Sequence, residues 1–442
     1  MSLRNKRRQP YTKLPGWPTA SHSTYWLITG SVFVLVGIAG CGQEAVDESP
    51  TKESPTVLAT KDAAQSADTS AAWHPIALKD VEQGWIALFD GRTQFGWSAN
   101  SETNWRIDDG EIVADEGDVG LLRTTTQFAD YEFRCECRLA EGGNSGVFLR
   151  TTADPESPIE GCYEFNLCDQ HDTHPTGSLV GRNTPTKPFQ LGTDWHTVSI
   201  TLSGNRITAK IDETVVLENV EVEGETRSIG YIGLQHNKGQ VRFRNVALKP
   251  LALTTLDESD DWEVVPGSKG QATVQEEQIK IEGGPGFLQT TETFGDFVLQ
   301  LNAETGAEDV NSGVFFRAEK GTTEAPSNGY EMQVQFTTDG GDRTNPDDYG
   351  DGFGAGAIFR RQAARYVNGS DFNPVYFTLI ANGPHIASWV DGLQVTDFVD
   401  EREPDSNPRK GRRLDPGHLS LQGHDPGTKI VFRTVGIKEL PK

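Results

Sequence analysis

The stretch Asn144-Ser-Gly-Val-Phe-Leu-Arg150 recurs in this chain as Asn311-Ser-Gly-Val-Phe-Phe-Arg317, with six identities in seven positions. A second block, Val241–Leu251, recurs as Ile430–Leu440 with five identities in eleven. The copies lie roughly 170 to 190 residues apart, whereas solenoid repeats run about 20–50 residues. The chain of 442 residues therefore contains a duplicated domain, which we place at residues 74–250 and 251–442.

Both copies consist of short segments in which polar and apolar residues alternate, separated by Gly, Asn and Asp turns. Examples are Tyr131–Leu139, Thr197–Leu202, Phe297–Leu301 and Ile430–Arg433. Alternation with a period of two is typical of strands that bury one face, and many such strands at short spacing favour an antiparallel sandwich or barrel. We predict an all-β protein with two tandem jelly-roll β-sandwiches.

The first 73 residues have a different composition. A basic leader precedes the apolar run Trp26–Ala39, which is short for a bilayer span and typical of a signal peptide. The run ends in Ile38-Ala39-Gly40-Cys41, which resembles the bacterial lipobox. We predict a signal peptide at 1–40, lipidation of Cys41 and a flexible tether at 41–73. The protein would then be anchored to the cell envelope, on its periplasmic or surface side. An ordinary signal peptide followed by a chance cysteine is the alternative.

The charge balance narrows the choice of partners. The chain has 40 Lys and Arg against 64 Asp and Glu, a formal net charge of −24. An acidic surface repels nucleic acid and gains nothing from counterion release. We therefore expect no nucleic-acid partner, and the lack of a basic patch favours neutral sugars over anionic polymers.

Four further cysteines follow Cys41, and an exported protein can form disulfides. Cys135 and Cys137 lie two residues apart, and Cys162 and Cys168 lie six apart. The spacings suit disulfides, free buried thiols or, least well, a metal site.

The richest polar cluster of the first copy follows one predicted strand. Glu164 and Asn166 alternate with apolar neighbours, so they point away from the core. Beyond the strand, His171 and His174 accompany Asp169, and such a group suits a general base or a divalent ion. A solvated strand face and an ordinary polar turn are the plain alternatives.

The second copy repeats part of this pattern. Its segment Gly329–Phe336 alternates strictly, and Glu331, Gln333 and Gln335 fall on the polar side. The arginines that end the repeated blocks, Arg150 and Arg317, suit either an anion clamp or an ion pair with the nearby glutamates. Late in each copy, we expect a second polar group to border the same face: Gln235 and His236 in the first, Gln422 and His424 in the second.

The order of several motifs resembles the 3-keto-disaccharide hydrolase family. The motifs are Trp85–Gly91, Trp105–Glu111, Asn144–Val147, Tyr163-Glu164, Thr176–Ser178 and Gly233–His236 with Phe243–Val246. The likeness covers nearly all of residues 80–250 and is looser over 255–440. It implies concanavalin-like jelly rolls and activity on glycosides oxidised at sugar C3.

The cleavage of glycosides oxidised at C3 implies roles for the candidate residues. A C3 ketone acidifies the C2 proton, so a base can remove it while a donor or cation holds the enolate. We expect His171 or His174 as the base, Glu164 orienting substrate or ligating metal, and Arg150 and His236 stabilising negative charge. Asp169 and His171 are the candidates for a divalent metal ion. The residues expected to bind substrate are Asn166, Gln235, Arg317, Glu331, Gln333, Gln335 and Gln422.

The same residues leave two alternatives to a protein in which both copies are catalytic. The second copy lacks the histidine pair, so we expect it to be catalytically weak and to bind sugar. The whole chain could instead be a glycan-binding, lectin-like lipoprotein without catalysis, since jelly-roll sandwiches host both functions.

Overall fold

The computed structural model describes residues 71–275, 277–338, 341–349 and 352–442. The predicted signal peptide, Cys41 and most of the predicted tether lie outside the described residues. Among the described residues, no helix has the length and apolarity needed to cross a bilayer.

Alternating polarity produces the predicted strands. Along Tyr131–Leu139 every second side chain is buried, and all five buried residues belong to one apolar core. The residues between them are partly exposed, because successive side chains of a strand point to opposite faces of the sheet.

Residues 78–250 form the first sandwich. After a short helix α1 (Leu78–Val81), its strands are β1 (Ile86–Ala87), β2 (Trp97–Ala99), β3 (Arg106–Asp108), β4 (Glu111–Ala114), β5 (Gly120–Thr124), β6 (Tyr131–Leu139), β7 (Ser145–Thr151), β8 (Tyr163–Leu167), β9 (His196–Ser203), β10 (Arg206–Ile211), β11 (Thr214–Glu221), β12 (Tyr231–His236) and β13 (Val241–Pro250). One antiparallel sheet has the order β11-β10-β9-β6-β13-β4-β3, with β1 on β13. The facing sheet has the order β2-β5-β12-β7-β8.

Residues 254–439 form the second sandwich. Its strands are β14 (Thr254–Thr255), β15 (Trp262–Val264), β16 (Gln271–Gln275), β17 (Gln278–Glu282), β18 (Gly286–Thr290), β19 (Phe297–Thr305), β20 (Ser312–Ala318), β21 (Tyr330–Val334), β22 (Val375–Asn382), β23 (His385–Val390), β24 (Leu393–Val399), β25 (His418–Gly423) and β26 (Lys429–Glu439), and two short 3-10 helices span Ser259–Asp261 and Pro346–Asp348. The sheet orders are β16-β17-β26-β19-β22-β23-β24 and β15-β18-β25-β20-β21. These match the first sandwich strand for strand, so the predicted all-β fold with two tandem sandwiches is confirmed.

The four described cysteines are free and buried, which agrees with the second of the three alternatives, free buried thiols, and not with disulfides. Cys135 and Cys137 point from β6 into the first core, where burial raises the pKa of both thiols. Cys162 packs with Leu121 and Phe148 on the other face of the five-stranded sheet. These thiols fill apolar space, as buried free cysteines commonly do.

The two sandwiches share a buried interface. Trp389 of β23 is 1% exposed and belongs to the core cluster of the first sandwich. Its indole Nε1 donates a hydrogen bond of 2.9 Å to the carbonyl of Ala87, and the amide of Ala87 donates to the carbonyl of Gly392 at 2.9 Å. Arg365 forms a 2.9 Å ion pair with Asp90 across the same interface. The second sandwich thus contributes side chains to the core of the first, so the two fold as neighbours in one chain.

Each repeated block ends in a buried arginine that ties loops together. Arg150 is 1% exposed, and its guanidinium donates to the carbonyls of Ala129, Gly204 and Arg227. It also pairs with Asp130 at 2.8 Å. The predicted anion clamp or pairing with Glu164 is therefore wrong for Arg150, because protein groups already occupy its guanidinium.

Arg317 repeats this arrangement in the second sandwich. It pairs with Asp296 at 2.7 Å and donates to the carbonyls of Gly295, Gly383 and Arg413. Its expected substrate-binding role is therefore also incorrect. Both arginines have a positive φ, 45° at Arg150 and 49° at Arg317, so the duplication has preserved backbone and partners together.

We expect Arg150→Met and Arg317→Met each to lower the free energy of unfolding by about 3 kcal/mol, because each leaves a carboxylate and several carbonyls without their donor. Denaturant unfolding of the full chain measures this. Arg206→Met, at an exposed position, should change it by less than about 1 kcal/mol. A similarly small effect at Arg150 would contradict the structural role.

Candidate functional site

Glu164 and Asn166 lie on the face of the five-stranded sheet that points away from the core. Their neighbours Tyr163, Phe165 and Leu167 belong to the core, as the alternation predicts. Glu164 and Asn166 are nevertheless 4% and 1% exposed. The outward row of β8 is therefore buried and polar, unlike an ordinary solvated strand face.

A glycine on the neighbouring strand makes room for the Glu164 carboxylate. A Cβ atom on Gly146 of β7 would lie 2.9 Å from Glu164 Oε1 and 3.1 Å from its Cγ. Any side chain at Gly146 would therefore displace the carboxylate from the sheet surface. Beside this glycine, Ser145 donates a 2.7 Å hydrogen bond from Oγ to the carbonyl of Gln235, which holds β12 against β7.

Gln235 completes this group from β12. Its side-chain amide stabilises the ionised form of the Glu164 carboxylate, while its own Oε1 is buried without a hydrogen-bond partner in the described part of the chain. We call Glu164, Gly146, Gln235 and Asn166 the first carboxylate site.

The environment of Glu164 changes its protonation. Burial raises the pKa of Glu164 from an ordinary 4.5 to about 8, and the hydrogen bond from Gln235 opposes this only in part. A carboxyl group with a pKa near neutrality can exchange a proton with a substrate at physiological pH.

The loop after β8 brings His174 to this strand. The side-chain amide of Asn166 donates to the carbonyl of His174, and the amide of Gly181 donates to His174 Nε2 at 3.3 Å. One residue earlier, the amide of Val180 donates to the backbone carbonyl of Glu164 at 3.0 Å. The loop is thus bonded along the edge of β8.

Hydrogen bonds fix which nitrogens of the histidines can act. Burial and the nearby His171 lower the pKa of His174, which favours its neutral form. With Nε2 accepting from Gly181, the proton of the neutral ring lies on Nδ1, which is buried without a described partner. His171 Nδ1 likewise accepts from the amide of His174 at 3.0 Å. In each ring the nitrogen that could accept a proton already accepts a hydrogen bond from a backbone amide, which argues against the expected base role for either.

Asp169 organises the loop and does not face an open ligand position. Its carboxylate accepts hydrogen bonds from Thr176 Oγ1 at 2.6 Å and from the amides of Leu191 and Gly192 at 3.0 and 2.9 Å. Within the described ranges, no group of three or more His, Cys, Asp or Glu side chains could hold a metal ion. The expected metal role of Asp169 and His171 is not supported, because the Asp169 carboxylate and His171 Nδ1 already accept hydrogen bonds within the loop.

His236 does not join the first carboxylate site. On β12, Leu234 packs in the core and Gln235 bonds to Glu164, so His236 falls on the side opposite Gln235. Its Nδ1 lies 3.4 Å from the carbonyl of Asp118. The expected role of His236 with Glu164 is therefore incorrect, because the register of β12 places Gln235, and not His236, on the face that carries Glu164.

The second sandwich contains the same arrangement around Glu331. A Cβ atom on Gly313 would lie 2.5 Å from Glu331 Oε1, and Ser312 Oγ donates to the carbonyl of Gln422 at 2.7 Å. Gln333 occupies the position of Asn166, since its carbonyl accepts from Gly356 as that of Asn166 accepts from Gly177. We call Glu331, Gly313, Gln422 and Gln333 the second carboxylate site.

Neighbouring residues differ between the two sites. Burial raises the pKa of Glu331 to about 7, and the charges of Arg360 and Arg409 oppose that rise. Matching hydrogen bonds of the two loops place Phe353 where the first sandwich has His174. Gln335, one residue beyond Val334 of β21, accepts from Gln333 Nε2 at 3.2 Å.

Two site residues, Gly146 and Gly313, were not identified from the sequence. The sequence did contain a signal for them. The glycine recurs inside an apolar alternating block, and a glycine within a strand indicates that another group approaches the backbone closely there.

Comparison with known proteins agrees with the carbohydrate-related motifs. A family model described as a 3-keto-alpha-glucoside-1,2-lyase-like domain matches residues 84–249 and again residues 254–438. A 3-keto-disaccharide hydrolase of Bacteroides thetaiotaomicron is 25% identical over 261 residues, covering 42% of this chain and 89% of that protein.

Solved structures with a similar chain path include two from bacteria. A Parabacteroides distasonis protein with a provisional glycosyl hydrolase name is 19% identical, covers 40% of this chain and 98% of its own, and has a TM-score of 0.36. A carbohydrate binding module from Bacillus subtilis is 15% identical, covers 35% and 95% of the two chains, and has a TM-score of 0.28.

The raised pKa of Glu164 predicts a pH dependence of stability. Between its ordinary 4.5 and about 8, the folded protein holds this proton more tightly than the unfolded chain. The free energy of unfolding should therefore fall as pH rises through this window and level off above about 8. Glu164→Gln cannot ionise and should make the fall less steep, leaving the contribution of Glu331, as measured by unfolding at each pH. Glu218→Gln, at an exposed position, is the control. Equal slopes in the parent and Glu164→Gln would contradict the burial of this carboxyl.

Proposed function

Because this chain belongs to the 3-keto-alpha-glucoside-1,2-lyase-like domain family through both halves, we propose that its first sandwich cleaves glycosides oxidised at sugar C3. The family is carbohydrate-active and hydrolase-like, and the Bacteroides thetaiotaomicron relative bears the name of such a hydrolase. One observation supports the first carboxylate site most directly: Glu164 is buried beside unpartnered polar atoms and has a pKa of about 8.

In the proposed reaction, the carboxylate of Glu164 removes the proton at C2. The electrons of the broken C2–H bond form an enolate with the C3 oxygen, and collapse of the enolate expels the substituent at C1 with its oxygen. The departing oxygen takes a proton from a donor or from water. Addition of water to the unsaturated sugar then completes a net hydrolysis. Glu164 suits the first step because burial makes its carboxylate a stronger base than an exposed one.

The remaining residues bind and polarise the substrate in this proposal. Nδ1 of neutral His174 carries a proton without a partner, so it can donate to the developing enolate oxygen. Gln235 Oε1 is buried and unpartnered, so it can accept from a sugar hydroxyl. Asn166 holds the His174 loop in position through its side-chain amide.

A glycan-binding protein without catalysis remains the second candidate function. Its support is the same set of buried, unpartnered amide oxygens, which suit hydroxyl groups whether or not a bond is cleaved. Glu164 and His174 favour the enzyme over the binding protein. Cleavage requires a proton acceptor, Glu164, and a hydrogen-bond donor, His174, whereas binding alone requires neither.

We also propose that the protein is exported and lipid-anchored through Cys41. The support is the sequence alone: a basic leader, an apolar run of 14 residues and small residues before the cysteine. A carbohydrate-active protein on the cell envelope would meet its glycosides outside the cytoplasm.

Glu164→Gln should lower kcat/KM on a 3-keto-glucoside at least about a hundredfold, because it removes the proposed base. In the parent, kcat/KM should rise with pH and level off above about 8, since the base acts only when ionised. Release of the leaving group measures both quantities.

Glu218→Gln should retain parental turnover, because Glu218 is exposed on β11. Activity of Glu164→Gln at the parental level would overturn the assignment of the base. Absence of turnover in the parent on 3-keto-glucosides, with binding retained, would favour the glycan-binding function.

Cys41→Ala should abolish incorporation of labelled fatty acid and release the protein from the membrane fraction of expressing bacteria. Cys168→Ala is the matched control and should still be labelled, because lipidation is proposed only at Cys41. Labelling of the Cys41→Ala protein would contradict the anchor.

A further inference from the structure

The second carboxylate site contains a row of polar side chains across three strands. Gly313 of β20 pairs with Gln333 of β21, and Val314 pairs with Leu421 of β25, which places Gln422 on the other side of Gly313. The Glu331 carboxylate leans over Gly313 into this row. The two glutamines therefore flank one carboxylate on the outward face of the sheet.

Three polar atoms here are buried but have no hydrogen-bond partner within the described residues. They are Gln333 Oε1, Gln422 Oε1 and Ser420 Oγ, on side chains that are 1%, 8% and 4% exposed. Burying an unsatisfied polar group costs about 1–3 kcal/mol. Three such atoms together indicate a surface shaped for a ligand that supplies the missing partners.

The unpartnered atoms restrict the chemistry of that ligand. The two amide oxygens only accept hydrogen bonds, so they need donors such as hydroxyl groups. A carboxylate or phosphate offers no donor and would be repelled by both oxygens. The positive charges of Arg360 and Arg409 stabilise the Glu331 carboxylate, so these arginines do not need an anionic ligand.

Next to the polar row lies a small apolar floor. Phe287 and Phe315 pack edge to face with ring centroids 5.5 Å apart, and both keep 7–8% of their surface exposed. Polar acceptors beside an aromatic floor match a sugar ring, which has hydroxyl groups at its edge and C–H groups on its faces.

We propose that the second carboxylate site binds a neutral saccharide and does not cleave it. The saccharide class rests on the proposed function of the first sandwich, whereas the hydrogen-bonding argument rests on the second sandwich alone. Binding without cleavage follows from the replaced neighbour: Phe353 has no proton to give where His174 has one. A protein with one cleaving site and one binding site would stay on its substrate between turnovers.

A native probe lies on the core side of the strand that carries this site. The chain has two methionines, Met1 and Met332, and Met332 of β21 lies between Glu331 and Gln333 but points into the core. With methyl-13C methionine, the Met332 signal therefore reports on changes in β21 beneath the second site. The first site is on the other sandwich, so ligand binding there should leave this signal in place.

Titration of the full chain with methyl α-glucoside should shift the Met332 methyl signal, and Glu164→Gln should respond equally. Gln422→Leu and Gln333→Leu should each weaken the apparent affinity at least tenfold, while Gln278→Leu, at an exposed position of β17, should not. Glucuronate should cause a smaller shift than methyl α-glucoside at equal concentration.

Absence of saturable binding of methyl α-glucoside by calorimetry, together with an unmoved Met332 signal, would overturn the proposal. Equal binding by the parent, Gln422→Leu and Gln333→Leu would also overturn it. Preferential binding of glucuronate would refute the neutral class. Lack of turnover with binding that Gln422→Leu weakens would refute only cleavage in the first sandwich, and turnover without such binding would refute only binding in the second.

Discussion

Close approach of a carboxylate to a backbone without a side chain determines the arrangement of both sites. Glu164 and Glu331 lean over Gly146 and Gly313, where a Cβ atom would lie 2.9 and 2.5 Å from a carboxylate oxygen. This contact keeps each carboxyl group against the sheet, and the resulting burial raises the pKa of both groups. A buried carboxyl in a fixed place is what proton transfer at a sugar carbon needs.

The repeated block is conserved between the halves because each of its residues has a structural task around that contact. The serine holds the glutamine strand through a 2.7 Å hydrogen bond in both copies, the glycine leaves room for the carboxylate, and the arginine ties three loops together. The differences lie outside the block. Phe353 occupies in the second sandwich the position that His174 has in the first. The charges of arginines oppose the rise in the pKa of Glu331, whereas no arginine has this effect on Glu164. Duplication therefore preserved the framework while the two sites diverged.

Local alternation was enough to predict the sheets and the outward row of Glu164 and Asn166, because a strand's period of two needs no distant information. The partners of those residues depended on contacts far along the chain. Arg150 pairs with Asp130 across a backbone turn at positive φ, and a shift of one residue in β12 decides between Gln235 and His236. No pattern within one strand encodes such registers. The even spacings of the cysteines likewise left disulfides and free thiols open, and all four described cysteines are free.

The central claim is that the first sandwich breaks the glycosidic bond by removing the C2 proton with Glu164. The most direct test is turnover of a 3-keto-glucoside in D2O, with NMR of the sugar released. The rate at which deuterium replaces the C2 proton is compared between the parent and Glu164→Gln. The account predicts deuterium at C2 of the product in step with parental turnover, and only slow uncatalysed exchange in the variant. Product released with its C2 proton intact would contradict it.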